Sequence, residues 1–63
     1  MTDYRTLLVE DARHYQNAAR RAANATQLAM LLGDTVAAIE EQAHAYHWAK
    51  AAQRALGYLL ESY

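Results

Sequence analysis

Leu31-Leu32-Gly33-Asp34-Thr35 divides the chain into two nearly equal runs of helix-forming sequence. Gly33 is a helix stop, because a residue without Cβ enters the left-handed conformation without a steric penalty. Asp34 and Thr35 are helix starts, because their side-chain oxygens accept a hydrogen bond from a first-turn N–H that has no partner within the helix. The stretch therefore reads as the corner of an antiparallel two-helix hairpin. The fold class is all-α, with helices over about 3–32 and 35–62 and the corner at 33–34.

Outward from the corner, the first half carries one apolar stripe at alternating steps of four and three: Leu8, Ala12, Tyr15, Ala19, Ala22, Thr26 and Ala29. That is the spacing of a helix seam. Thr2 or Asp3 supplies its cap, and Asp3 also suits the positive end of the helix dipole. Asn24-Ala25-Thr26 is its weakest helical spot, and a break there with Thr26 capping a new helix is the less favoured alternative. In the second half one stripe runs Ala38, Ala45, Trp48, Ala49, Ala52, Leu56 and Leu59, and a second runs Val36, Ile39, Ala43 and Tyr46. Gly57 falls inside the helical pattern, at a position that admits another backbone or simply tolerates Gly near the end.

Folding at the corner brings together residues whose numbers sum to roughly 67, so Leu8 meets Leu59, Tyr15 meets Ala52 and Ala19 meets Trp48. Large residues face small ones, as close packing requires. Each arm spans about 40–45 Å at 1.5 Å per residue, a rod with a thin core. On this pairing His14 lies opposite Gln53 and far from His44.

Composition narrows the class. Sixty-three residues make one domain, with no Cys, no Pro, two Gly and fifteen Ala, the best helix former. A monomer this small buries only about 60% of the surface of its unfolded chain and usually needs a staple or a partner. Without Cys there is no disulfide and no thiolate metal site, which leaves oligomerisation. The seam strands Leu28, Met30, Leu31, Leu32, Val36, Ile39 and Tyr46 near the corner, and Leu7, Val9, Tyr58, Leu60 and Tyr63 near the ends. Exposed apolar patches mark association surfaces. A homodimeric four-helix bundle covers one set, and the other is the candidate partner site.

Net charge is −1 with neutral His, which is neither a basic nucleic-acid binder nor an acidic mimic. No apolar run approaches the roughly 20 residues of a membrane span, and the first residues lack the basic start and apolar core of a signal peptide. The expectation is a cytoplasmic protein without contact with a membrane.

Three constellations bear on function. Asp11-x-x-His14 and Glu41-x-x-His44 each set a carboxylate and an imidazole one turn apart, with Glu40 and His47 flanking the second pair. Carboxylate-x-x-His on facing helices is how di-iron bundles present ligands, so Glu41, His44 and His47 are the alternative metal set, shared across a dimer. Solvated polar residues are the preferred reading, and no cofactor is expected. Arg13, Asn17, Arg20, Arg21 and Asn24 lie along one side of the first helix, where two copies could track phosphates. Asp3, Glu10 and Asp11 balance these arginines, as do Glu40 and Glu41 across a dimer, so a solvated, salt-bridged face is preferred. Third, Tyr46, Tyr58 and Tyr63 are an unusual aromatic load, and Tyr is favoured at interfaces. With Leu28, Leu31, Val36 and Ile39 at the corner, they are the candidate partner-binding residues. Trp48 and Tyr15 read as seam fillers opposite alanines.

The chain length, single hairpin and polar first helix resemble the Rop-type plasmid RNA-binding dimers, which implies a four-helix dimer and, as an alternative function, RNA binding. The segment Ala45-Tyr46-His47-Trp48-Ala49-Lys50-Ala51-Ala52-Gln53-Arg54-Ala55-Leu56-Gly57-Tyr58-Leu59-Leu60 resembles the second helix of small phage-encoded quorum-sensing anti-activators. Ala45, Trp48, Ala52, Leu56, Gly57 and Leu60 carry that likeness, and Asn24-Ala25-Thr26 extends it. It implies a dimer of hairpins that binds and inhibits host proteins, including a LuxR-type transcriptional regulator. Enzymatic activity is not expected: no Ser or Cys nucleophile sits near a base, and a thin seam offers no enclosed substrate pocket. The expected function is non-catalytic, a small inhibitor or regulator that docks on a larger host protein.

Overall fold

The computed structural model describes residues 3–62, so Thr2, proposed as a cap, and Tyr63, proposed as a partner residue, lie outside the described residues. Two helices, α1 (Tyr4–Leu31) and α2 (Thr35–Glu61), form an antiparallel hairpin. Asp3 caps α1 by accepting a hydrogen bond from the Thr6 N–H at 3.0 Å. The helix runs through Asn24-Ala25-Thr26 without a break. Thr26 does not cap a new helix; its hydroxyl donates to the Ala22 carbonyl one turn back, at 2.9 Å. That bond satisfies the hydroxyl within the helix, a use open to Thr on a half-buried helix face.

The corner is closed from both sides. Gly33 takes φ +73°, and the N–H groups of Gly33 and Asp34 donate to the carbonyls of Met30 (3.1 Å) and Ala29 (2.8 Å). This pair of bonds is the Schellman arrangement, which satisfies carbonyls the ending helix leaves over. Asp34 then opens α2, its carboxylate accepting from the Ala37 N–H at 3.1 Å. One residue thus ends the first helix through its backbone and starts the second through its side chain. At the far end the Arg5 guanidinium donates to the Ser62 carbonyl at 2.6 Å, tying the two open ends together.

The seam is thin. The buried residues are Leu8 and six alanines: Ala12, Ala22, Ala29, Ala38, Ala52 and Ala55. Every position of the α1 stripe is buried or half-buried. On α2 two expected seam positions, Ala49 and Leu56, are exposed, and Ala55 is buried in their place. A two-helix contact covers a single narrow stripe, and Ala49 and Leu56 sit one residue, about 100° of helix rotation, beyond it. The true α2 seam alternates Ala38, Glu41, Ala45, Trp48, Ala52, Ala55 and Leu59, with half-buried Glu41 interrupting the apolar pattern.

The hairpin measures 47 × 19 × 11 Å. Its 11 Å thickness is that of a single helix, so the two helices form one layer and both broad faces are uncovered by this chain. Among the described residues no helix is long and apolar enough to cross a membrane.

Candidate interaction surfaces

The heptad register settles which residues share a face. Leu8, Tyr15, Ala22 and Ala29 recur at seven-residue steps in the α1 seam, and Glu41, Trp48 and Ala55 do so in α2. On one broad face a groove is lined by His14, Ala18, Arg21, Glu41, His44 and Trp48. Nearer the chain ends another is lined by Leu8, Asp11, Tyr15, Ala51, Arg54 and Tyr58. The opposite face opens near the corner on a groove lined by Met30, Thr35, Ala38, Ile39 and Gln42.

Aromatic rings gather at the middle of the first face. Tyr15 and Trp48 stack with centroids 5.8 Å apart. His14 meets Tyr15 edge-on at 5.6 Å and Trp48 at 6.4 Å, and His47 meets Trp48 at 5.1 Å. Tyr15 and Trp48 are therefore seam fillers, as their alanine neighbours require.

His14 does not lie away from His44, as pairing by residue number requires; both line one groove, together with Glu41. Glu41 and His44 approach to 3.8 Å. His47 stands apart, on the outward side of α2 with Tyr46, Lys50, Gln53 and Arg54. Among the described residues no three His, Asp or Glu side chains are placed to hold one metal ion, so the set Glu41, His44 and His47 does not converge within one hairpin. Successive members lie about 60° apart around α2, so the set fans through about 120° from the seam at Glu41 to the outward side at His47.

The arginine strip is exposed throughout: Arg13, Asn17, Arg20, Arg21 and Asn24 all face solvent. Within one hairpin the expected salt bridges from Asp3, Glu10 and Asp11 do not form among the described residues. Among the described residues the one carboxylate within ion-pair distance of a basic side chain is Glu41 with His44. Arg13, Arg20 and Arg21 are in no ion pair among the described residues. α1 carries no carboxylate beyond Asp11, so Arg20 and Arg21 have none within a turn of their own helix. Glu10, one turn before Arg13, is not within ion-pair distance of it.

The proposed partner residues are exposed but do not share a surface. Tyr58 lines the first face, whereas Tyr46 is on the outward side of α2, with the Lys50 ammonium 5.4 Å from its ring centroid. Twelve residues separate the two tyrosines, which is about 120° of helix rotation. Ile39 borders the opposite face. Leu31 (85% exposed) and Val36 (67%) project from the corner, and Leu28 is exposed beside them. A hollow of about 600 Å³ on α2 is lined by residues of that helix alone, so nothing stands opposite them to enclose a substrate.

No family model, characterised protein or solved structure matches this chain in comparison with known proteins.

Proposed function

We propose that this chain is a non-catalytic interaction protein, a homodimeric helical hairpin that docks on a larger protein and regulates it by covering a surface. One observation carries the reading: a single-layer hairpin with a core mostly of alanine leaves twelve large apolar side chains exposed among the described residues, from Tyr4 to Leu60. Six of these, Leu28, Met30, Leu31, Leu32, Val36 and Ile39, gather about the corner, and exposed apolar patches mark association surfaces. The likeness of the Ala45–Leu60 segment to quorum-sensing anti-activators supports a host regulatory protein as the class of target. The corner residues Leu31 and Val36, with Tyr58, are the anchors of this reading.

The test is affinity capture from a lysate of the host cell, run in parallel with Tyr58→Ala and Leu31→Ser variants of unchanged helicity. One dominant partner, lost with either variant, supports docking. An identical set of proteins with all three baits, or none, counts against it.

The unpaired arginines favour a second reading, RNA binding along α1. It requires affinity that falls steeply as salt rises, because phosphate contacts release counterions, and a further loss with Arg20→Ala. A flat salt response removes it.

A further inference from the structure

The two broad faces differ in what covering them would strip of water. The face of the two histidine-lined and tyrosine-lined grooves holds Asp11, Arg21, Glu41 and Arg54, and no two of these lie within ion-pair distance. Arg21 and Arg54 sit at its border, but covering that face desolvates Asp11, which has no ion-pair partner among the described residues, together with the Glu41–His44 pair. An unpaired buried charge costs several kcal/mol. The opposite face is different. Seven-residue steps from Met30 place Val9, Gln16 and Ala23 in its α1 row. The same steps from Gln42 place Thr35, Ala49 and Leu56 in its α2 row. Neither row contains a charge. Interfaces are depleted of charge at their centre and carry it at the rim, and here Arg13 and Arg20 border the α1 row.

We propose that this uncharged face seats a second copy of the chain; the inference rests on the reading that the hairpin self-associates and names the face by which it does so. Surface area supports this occupant. The chain exposes 4960 Å², whereas a compact monomer of its mass exposes about 4,100 Å². The excess of roughly 900 Å² matches the area of about 800 Å² that each partner buries in a stable interface. The pattern of the rows is also self-complementary. A two-fold axis across the rod sets Gln16 opposite Ala23 of the other copy and Gln42 opposite Ala49. A two-fold axis along the rod sets Gln16 opposite Ala49 and Ala23 opposite Gln42. Either way each glutamine falls on an alanine, so large side chains meet small ones in both arrangements. Ile39, Tyr46 and Leu60, exposed on the α2 border, add apolar area at its edge. Tyr58 and Leu28 then remain on the free, charged face for another protein.

The experiment measures mass in solution across a dilution series by sedimentation equilibrium, with helicity checked by circular dichroism. Ala23→Glu and Ala49→Glu are the variants, since both alanines are exposed in the hairpin and Glu is a good helix former. Ala23→Arg and Ala49→Arg repeat the test with the opposite sign, so a fold defect peculiar to one charge is recognised. Leu7→Glu and Tyr58→Glu are the controls on the other face. The expected result is twice the chain mass for the wild type. The Ala23 and Ala49 variants dissociate at concentrations at least about 100-fold higher, because each buries an unpaired charge, and the controls shift by less than about threefold. A dimer that survives the Ala23 and Ala49 variants but dissociates with the controls overturns the face and leaves self-association standing. A wild type that is monomeric up to about 100 μM overturns both.

Discussion

The rings of Tyr15 and Trp48 lie 5.8 Å apart and within 17° of parallel, joining α1 to α2 across a seam built mainly of alanine. An aromatic pair contributes about 0.5–1.5 kcal/mol beyond the area it buries. In a core whose one large buried side chain among the described residues is Leu8, that is a large share of the packing.

Removing either ring should therefore hurt more than its half-buried position suggests. Trp48→Ala and Tyr15→Ala are each expected to cost about 2–3 kcal/mol, just below the range of about 3–5 kcal/mol for truncating a fully buried aromatic residue, because both rings are half-buried. Tyr15→Phe keeps the ring and is expected to change stability by less than about 0.5 kcal/mol. Urea unfolding measures all three, and equal effects of Tyr15→Phe and Tyr15→Ala would show that the hydroxyl rather than the stack carries the contribution.

The same pair shows how far the sequence could be read. Alternation of four and three along α1 located every seam position of that helix, and Gly33-Asp34 located the corner, because both signals are local backbone chemistry. Pairing by residue number aligned the backbones but missed the stack. Numbers register Cα atoms, whereas a large ring spans most of a 5.4 Å turn and meets its neighbour a turn away. Ala55 was missed, and Ala49 and Leu56 misplaced, because α2 is apolar around much of its circumference and periodicity alone does not select its inner side. The separation of Tyr46 from Tyr58 needed only helix rotation and was legible. The absence of salt bridges from Arg13, Arg20 and Arg21 was not, since counting charges does not orient them.

At the corner, conformation rather than space sets the cost of substitution. A Cβ on Gly33 would meet nothing within 4 Å, yet its φ is +73°. Gly33→Ala is expected to cost about 1 kcal/mol through the left-handed conformation, and Gly33→Asn less. Asp34→Ala should lose about 1 kcal/mol with the α2 cap, whereas Asp34→Asn keeps an accepting oxygen and most of the stability. Thermal unfolding of the four variants gives this order. A neutral Gly33→Ala would mean that the corner relaxes to negative φ.

Gly57 makes the opposite prediction. A Cβ there also meets nothing within 4 Å, and the residue sits inside α2 with ordinary helical φ. The hairpin itself shows no close backbone approach at this position. Gly57→Ala should raise stability by about 0.5–1 kcal/mol through helix propensity. A fall in stability that appears only at concentrations where the chain self-associates would place another copy's backbone against Gly57.

The histidine groove separates a metal site from a polar surface. Glu41 and His44 are 3.8 Å apart and His14 lines the same groove, but the described residues of one hairpin include no trio placed to hold an ion. A structural zinc site takes about four ligands at roughly 2 Å, so this groove offers too few. Equimolar Zn²⁺ is therefore expected to leave the melting temperature of the dilute protein unchanged, with His44→Ala and wild type behaving alike. A rise that grows with protein concentration and disappears in His44→Ala would reverse this. It would require ligands from two copies, and the pair would then have to meet through the charged face rather than the uncharged one.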